Sequence, residues 1–139
     1  NADAATGKIK LEPPSSGTIL RIVEFPPDTA WRGSADAKKA FASIGAGGAP
    51  DHASSDAMMH ATATVDYIIV LKGEIWAILD KGEKLLKQGD VLIQRGTNHS
   101  WSVRTREPAI VAAVLVSARP TGRLTRRKSK ATAKRGKKR

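Results

Sequence analysis

Cysteine is absent from this 139-residue chain, which excludes a disulfide framework, thiolate metal ligation and thiol catalysis. Aromatic residues make up only 4% of it, and histidine occurs three times, at positions 52, 60 and 99. Long apolar runs are also missing: Ala109 to Val116 is the longest, far short of the roughly 20 residues a membrane-spanning helix needs. The expectation is therefore a soluble, cytoplasmic protein. The first residue is Asn1 rather than methionine, which leaves a removed targeting peptide open.

Acidic residues are missing from one region only. Residues 1–118 hold 13 Lys/Arg against 13 Asp/Glu, whereas residues 119–139 hold the other 11 basic residues and no acid, so the formal charge of +11 resides entirely in the last 21 residues. A length of 139 residues suits one domain with a modest core. The chain divides into a polar leader over residues 1–16, a globular part over 17–118 and a basic tail over 119–139.

What is present is a succession of short β-like segments. Thr18 to Phe25 reads as a first strand, stopped by Pro26-Pro27. Residues 28–58 show no sustained period and read as a long connection, with one helical turn over residues 36–41. Strands follow over 61–71, 74–80, 84–87, 90–94, 100–105 and 109–117, separated by glycine-bearing or polar breaks. Short strands at such close spacing predict an all-β sandwich or barrel.

Alternation along 60–71 places His60, Thr62, Thr64, Asp66, Ile68 and Val70 on one face, polar at its start and apolar at its end. In a closed barrel that face lines a lumen with a polar mouth. His99 and Trp101 share one parity on a later strand and point inward with it. His60, Asp66 and His99 then supply two imidazoles and a carboxylate, a donor set that leaves coordination positions open. Trp76 and Trp101 are expected as apolar wall, Thr64 as a hydrogen-bonding group and Arg95 as a partner for an anionic substrate. The bland alternatives are hydrogen-bonded structural histidines, core tryptophans and an ion-paired Arg95.

The segments HATATVDYIIVLKGE, from His60, and GDVLIQRGTNHSW, from Gly89, resemble the two signature motifs of the cupin superfamily. His60 matches the first histidine of the first motif, Asp66 stands at its glutamate position and Gly73 at its glycine. Thr62 occupies the place of its second histidine. Gly89, Gly96 and His99 match the second motif, with Gln94-Arg95 where a proline is usual. The resemblance, closest to small single-domain cupins of largely unassigned activity, implies a double-stranded β-helix, or jelly-roll, barrel and a homodimer. It implies a divalent ion (Fe, Mn, Zn or Ni) held by His60, Asp66 and His99, with Thr62 or His52 as further ligands, or else a metal-free cavity for a small organic ligand. Function follows as a metal-dependent enzyme of unspecified reaction, or a non-catalytic binding module.

The tail cannot bury enough apolar surface to offset its ordering entropy, so disorder is expected. Arg126, Arg127, Lys128, Lys134, Arg135, Lys137, Lys138 and Arg139 are its candidate contacts to nucleic acid or another polyanion, held without sequence preference because no aromatic residue is there to stack on bases.

Overall fold

The structure is a computed structural model that describes residues 10–32, 39, 54–56 and 58–119. His52, the basic residues from Arg126 onward and, apart from Lys39, the helical turn expected over 36–41 lie outside them.

Among the described residues, seven strands and one helical turn follow in the order β1 (Thr18–Phe25), α1 (Asp28–Trp31), β2 (Thr64–Lys72), β3 (Glu74–Leu79), β4 (Gly82–Lys87), β5 (Val91–Arg95), β6 (His99–Ser102) and β7 (Ala109–Ser117). They form a four-stranded sheet, β1-β7-β2-β5, and a three-stranded sheet, β4-β3-β6, with all pairings antiparallel. The fold is the double-stranded β-helix barrel. Its core comes from the inward rows of both sheets: Ile68, Val70, Val111, Ala113 and Leu115 on one side, Ile75, Ala77 and Leu86 on the other, with Phe25, Leu92 and Trp101 packed against them.

The chain crosses from one sheet to the other at Gly73, between β2 and β3. This residue has φ +76°, and a Cβ there would stand 3.0 Å from the Pro108 carbonyl oxygen and 3.3 Å from Ala109 Cα. Only glycine meets both demands, since positive φ and close backbone approach each exclude a side chain. Beside this corner, the β2–β7 register shifts between Val70 and Lys72, a bulge that bends the strand end.

Several strand limits depart from the sequence expectation for local reasons. β4 begins at Gly82 because Leu79 pairs with Gly82, leaving Asp80-Lys81 as the turn. β6 ends at Ser102 because the backbone of Val103 is already committed: its carbonyl accepts from Asp28 N at 2.8 Å and its N–H donates to Asp28 Oδ1 at 2.9 Å. The same two bonds explain why a helical turn follows Pro26-Pro27. Asp28 starts α1 while its carboxylate, unused as a cap, is tied to β6.

Candidate functional site

The row that begins at His60 faces inward. His60, Thr62, Thr64, Asp66, Ile68 and Val70 are all buried, whereas Tyr67 among them and Leu71 just beyond are exposed. His60 precedes β2 and faces His99 at the start of β6. Their backbones exchange two hydrogen bonds, N to O in each direction at 2.9 Å. Such a directly opposed pair projects both side chains to one side, and the ring centroids lie 4.3 Å apart. Trp101, two residues on, meets the His99 ring edge-on at 5.6 Å and Phe25 at 6.3 Å, closing the apolar side of the mouth.

Each imidazole is locked by the same local device. His60 Nδ1 lies 2.9 Å from Met58 O, and His99 Nδ1 lies 2.9 Å from Thr97 O. A carbonyl oxygen can only accept, so Nδ1 carries the proton in both rings and Nε2 carries the lone pair. Burial, with His99 adding to it, lowers the His60 pKa to about 4, and burial lowers that of His99. Near neutral pH the mouth therefore presents two uncharged imidazoles with their basic nitrogens beyond the backbone contacts. Gln94 supports one of them: its Nε2 donates to Thr97 O at 3.1 Å and to Thr97 Oγ1, bracing the carbonyl on which His99 rests.

Asp66 is 4% exposed, and its Oδ1 has no hydrogen-bond partner among the described residues. Burial raises its pKa, against the Thr64 hydroxyl and the charges of His60 and Arg21, which lower it. Thr62, at the position of a further imidazole, shares a 2.7 Å hydrogen bond with Thr64. Among the described residues no group of three His, Cys, Asp or Glu side chains stands at metal-binding spacing. His60, His99 and Asp66 thus share the inward side without standing together as a three-donor cluster, and the donors that meet are the two imidazoles.

Two residues expected at the pocket are elsewhere. Trp76 pairs with Ser102 and lies between the inward Ile75 and Ala77, so it faces outward, where Arg104 sits 4.4 Å over its ring. Arg95 is exposed at the end of β5, and the adjacent Gln94 takes the inward place opposite Asp66. A one-residue change of parity moves a side chain to the other face of the sheet, which accounts for both corrections.

The sequence reading also missed the polar cover on the outer face of β6. Ser100 and Ser102 are buried there, beneath the segments around Asp28 and Asp56. Ser100 Oγ donates to Asp56, Ser102 Oγ donates to Asp28 Oδ2 at 2.5 Å, and Arg32 bridges Asp56 Oδ2 at 2.6 Å to Trp101 O at 2.7 Å. This network clamps the strand that carries His99. Its signal in the sequence is slight: two isolated aspartates in an aperiodic connection.

No family model matches the chain. It is similar to a cupin-domain-containing oxidoreductase of Neurospora crassa, 32% identical over 105 residues, covering 73% of this chain and 40% of that protein. It is also similar to phomopsin biosynthesis cluster protein C′ of Diaporthe leptostromiformis, 53% identical over 51 residues, covering 36% of this chain and 27% of that protein. The match thus spans less than half the length of either relative. Among solved structures it resembles a Klebsiella pneumoniae protein with a double-stranded β-helix domain, with 17% identity, a TM-score of 0.49, and coverage of 75% of this chain and 70% of that one.

The buried imidazoles set a pH dependence of stability. With the folded His60 pKa near 4 and the unfolded value near 6.5, the unfolded chain binds the extra proton between those limits. Stability is then full above about pH 6.5 and falls by on the order of 3 kcal/mol toward pH 4. Asp66, with its raised pKa, acts in the opposite sense, its contribution being lost as pH rises. Urea unfolding of chelator-treated protein at pH 7.5 and pH 5 should show a larger loss for wild type than for His60→Gln. Equal losses contradict the neutral, buried state of His60.

Proposed function

Because the chain belongs to the cupin superfamily, we propose that its barrel is the substrate site of a small-molecule oxidoreductase, centred on His60 and His99. The observation that carries this reading is the pair of neutral imidazoles, each fixed through Nδ1 to a backbone carbonyl, in a mouth with an apolar floor. The name of the Neurospora crassa relative supports the oxidoreductase class. A divalent ion (Fe, Mn, Zn or Ni) would be held by His60 and His99 through Nε2, with Asp66 as the carboxylate on the same face. Such an ion supplies Lewis acidity or a redox couple. The chain's own residues orient and shield. Backbone carbonyls set the tautomer of both rings, Thr62 and Thr64 offer hydroxyls to a ligand, and Trp101 with Phe25 excludes water from the floor.

Dialysis of chelator-treated protein against each ion, followed by elemental analysis, tests the metal centre. Wild type should retain an ion, His60→Ala and His99→Ala should each bind it at least tenfold more weakly, and the outward Trp76→Phe should match wild type. Wild type that retains none of the four ions overturns this part of the proposal.

A second copy of the chain is the proposed occupant of the outer face of the four-stranded sheet. Two cross-strand rows there are wholly apolar: Leu20, Val114, Tyr67 and Ile93, then Ile22, Ala112, Ile69 and Val91. Leu20 and Ile22 are 66% and 62% exposed, and Val91 and Ile93 more than half exposed. Two adjacent rows without charges, between Glu24 and Arg95 on the same face, match themselves about a two-fold axis, which is what a homodimer requires. Light scattering after gel filtration should give a dimer for wild type and a monomer for Ile22→Glu with Ile93→Glu. A monomeric wild type contradicts the pairing. In the same reading, the basic residues 119–139 add an unspecific contact to polyanions that weakens with salt.

A further inference from the structure

The inward row of β1 contains a residue that neither motif includes. Along Thr18–Phe25 exposure alternates strictly, so Ile19, Arg21, Val23 and Phe25 face the barrel while Leu20 and Ile22 face out. A guanidinium among three apolar side chains is unusual, because a charge on an inward row must be desolvated, and arginine does not escape by losing its proton. Burial lowers the Arg21 pKa, and the Asp66 carboxylate opposes that shift.

The register shows where the two charges stand. Arg21 pairs with Ala113 on β7, Ala113 pairs with Ile68 on β2, and Leu115 pairs with both Ile19 and Asp66. Arg21 and Asp66 thus arise from strands on either side of β7 that stand roughly 10 Å apart, two strand spacings, offset by two residues along the strands, with the small Ala113 beside the gap. They sense each other's charge, yet no ion pair joins them among the described residues. Each also keeps an unspent group: Arg21 Nη2 and Asp66 Oδ1 are the two buried side-chain polar atoms without a hydrogen-bond partner among the described residues. Buried polar atoms are normally paired, and a donor and an acceptor left open two strands apart on the inner face of one sheet form a complementary socket.

From this juxtaposition we infer that the lumen takes a small organic carboxylate that also carries a hydroxyl or amino donor: the carboxylate receives the Arg21 Nη2 hydrogen bond, and the donor group is accepted by Asp66 Oδ1. The guanidinium suits a carboxylate because its fork of N–H groups matches that shape. A neutral ester loses most of this attraction, and a carboxylate without the second group loses the Asp66 contact. The inference deepens the reading of the barrel as a substrate site, but it requires no ion.

Calorimetric titration of the full chain with malate, succinate and dimethyl malate, without and with added zinc, tests it. Malate should bind wild type at least tenfold more tightly than dimethyl malate, and more tightly than succinate. Arg21→Gln should lose that tenfold preference, with Arg21→Lys retaining part of it. Asp66→Asn should bring malate down to the level of succinate. Basic residues outside the barrel are common to every variant and cancel in the comparison. Unchanged malate binding by a folded Arg21→Gln, or no binding of malate by wild type, overturns the inference. Zinc retention by wild type reads the metal centre separately: if wild type binds zinc and not malate, the carboxylate socket fails alone, and the reverse result leaves the socket standing without the ion.

Discussion

Two backbone hydrogen bonds between His60 and His99 join the approach to β2, in one sheet, to the start of β6, in the other. Everything at the mouth depends on that junction. It sets the rings 4.3 Å apart, fixes the side of the barrel to which they project, and brings Trp101 under them by alternation along β6. Glycine at position 73 makes the same sheet-to-sheet passage at the far end of β2. The lumen is thus bounded at one end by a polar pair and at the other by an apolar corner.

The chemistry of the mouth follows from what surrounds the rings. Carbonyl acceptors dictate the tautomer, and burial suppresses the charge, so the imidazoles serve as lone-pair donors rather than as cations. The wall opposite is charged in both signs, through Arg21 and Asp66, with hydrogen-bonding capacity still open on each. Neutral bases beside two unspent polar atoms of opposite kind are the groups that the proposed carboxylate ligand would meet. A greasy one would leave those atoms without partners.

Much of this was legible in the residues. The alternation from His60 to Val70 identified the inward row, and the glycine-and-histidine motifs identified the barrel. What escaped did so for physical reasons. Arg21 was hidden because TILRIVEF reads equally well with either face inward, and only the pairing of β1 with β7 decides the matter. Arg95 and Gln94 are neighbours of opposite parity, so the charge drew attention away from the buried amide. Trp76 looked like pocket wall by size, yet alternation with Ile75 and Ala77 sends it outward. The clamp of Asp28, Arg32 and Asp56 on β6 joins residues more than 40 positions apart, beyond the reach of any local pattern.

The central claim is that two buried, neutral imidazoles with Nδ1–H tautomers form the working centre of the barrel. Nitrogen-15 NMR of the histidine side chains in chelator-treated protein, titrated from pH 8 to pH 4, tests it directly, with the His60 and His99 variants assigning the signals. The account predicts a protonated Nδ1 and an unprotonated Nε2 in both rings at pH 7, with His60 gaining its second proton only near pH 4. Rings carrying the proton on Nε2, or titrating together near pH 6.5, contradict it.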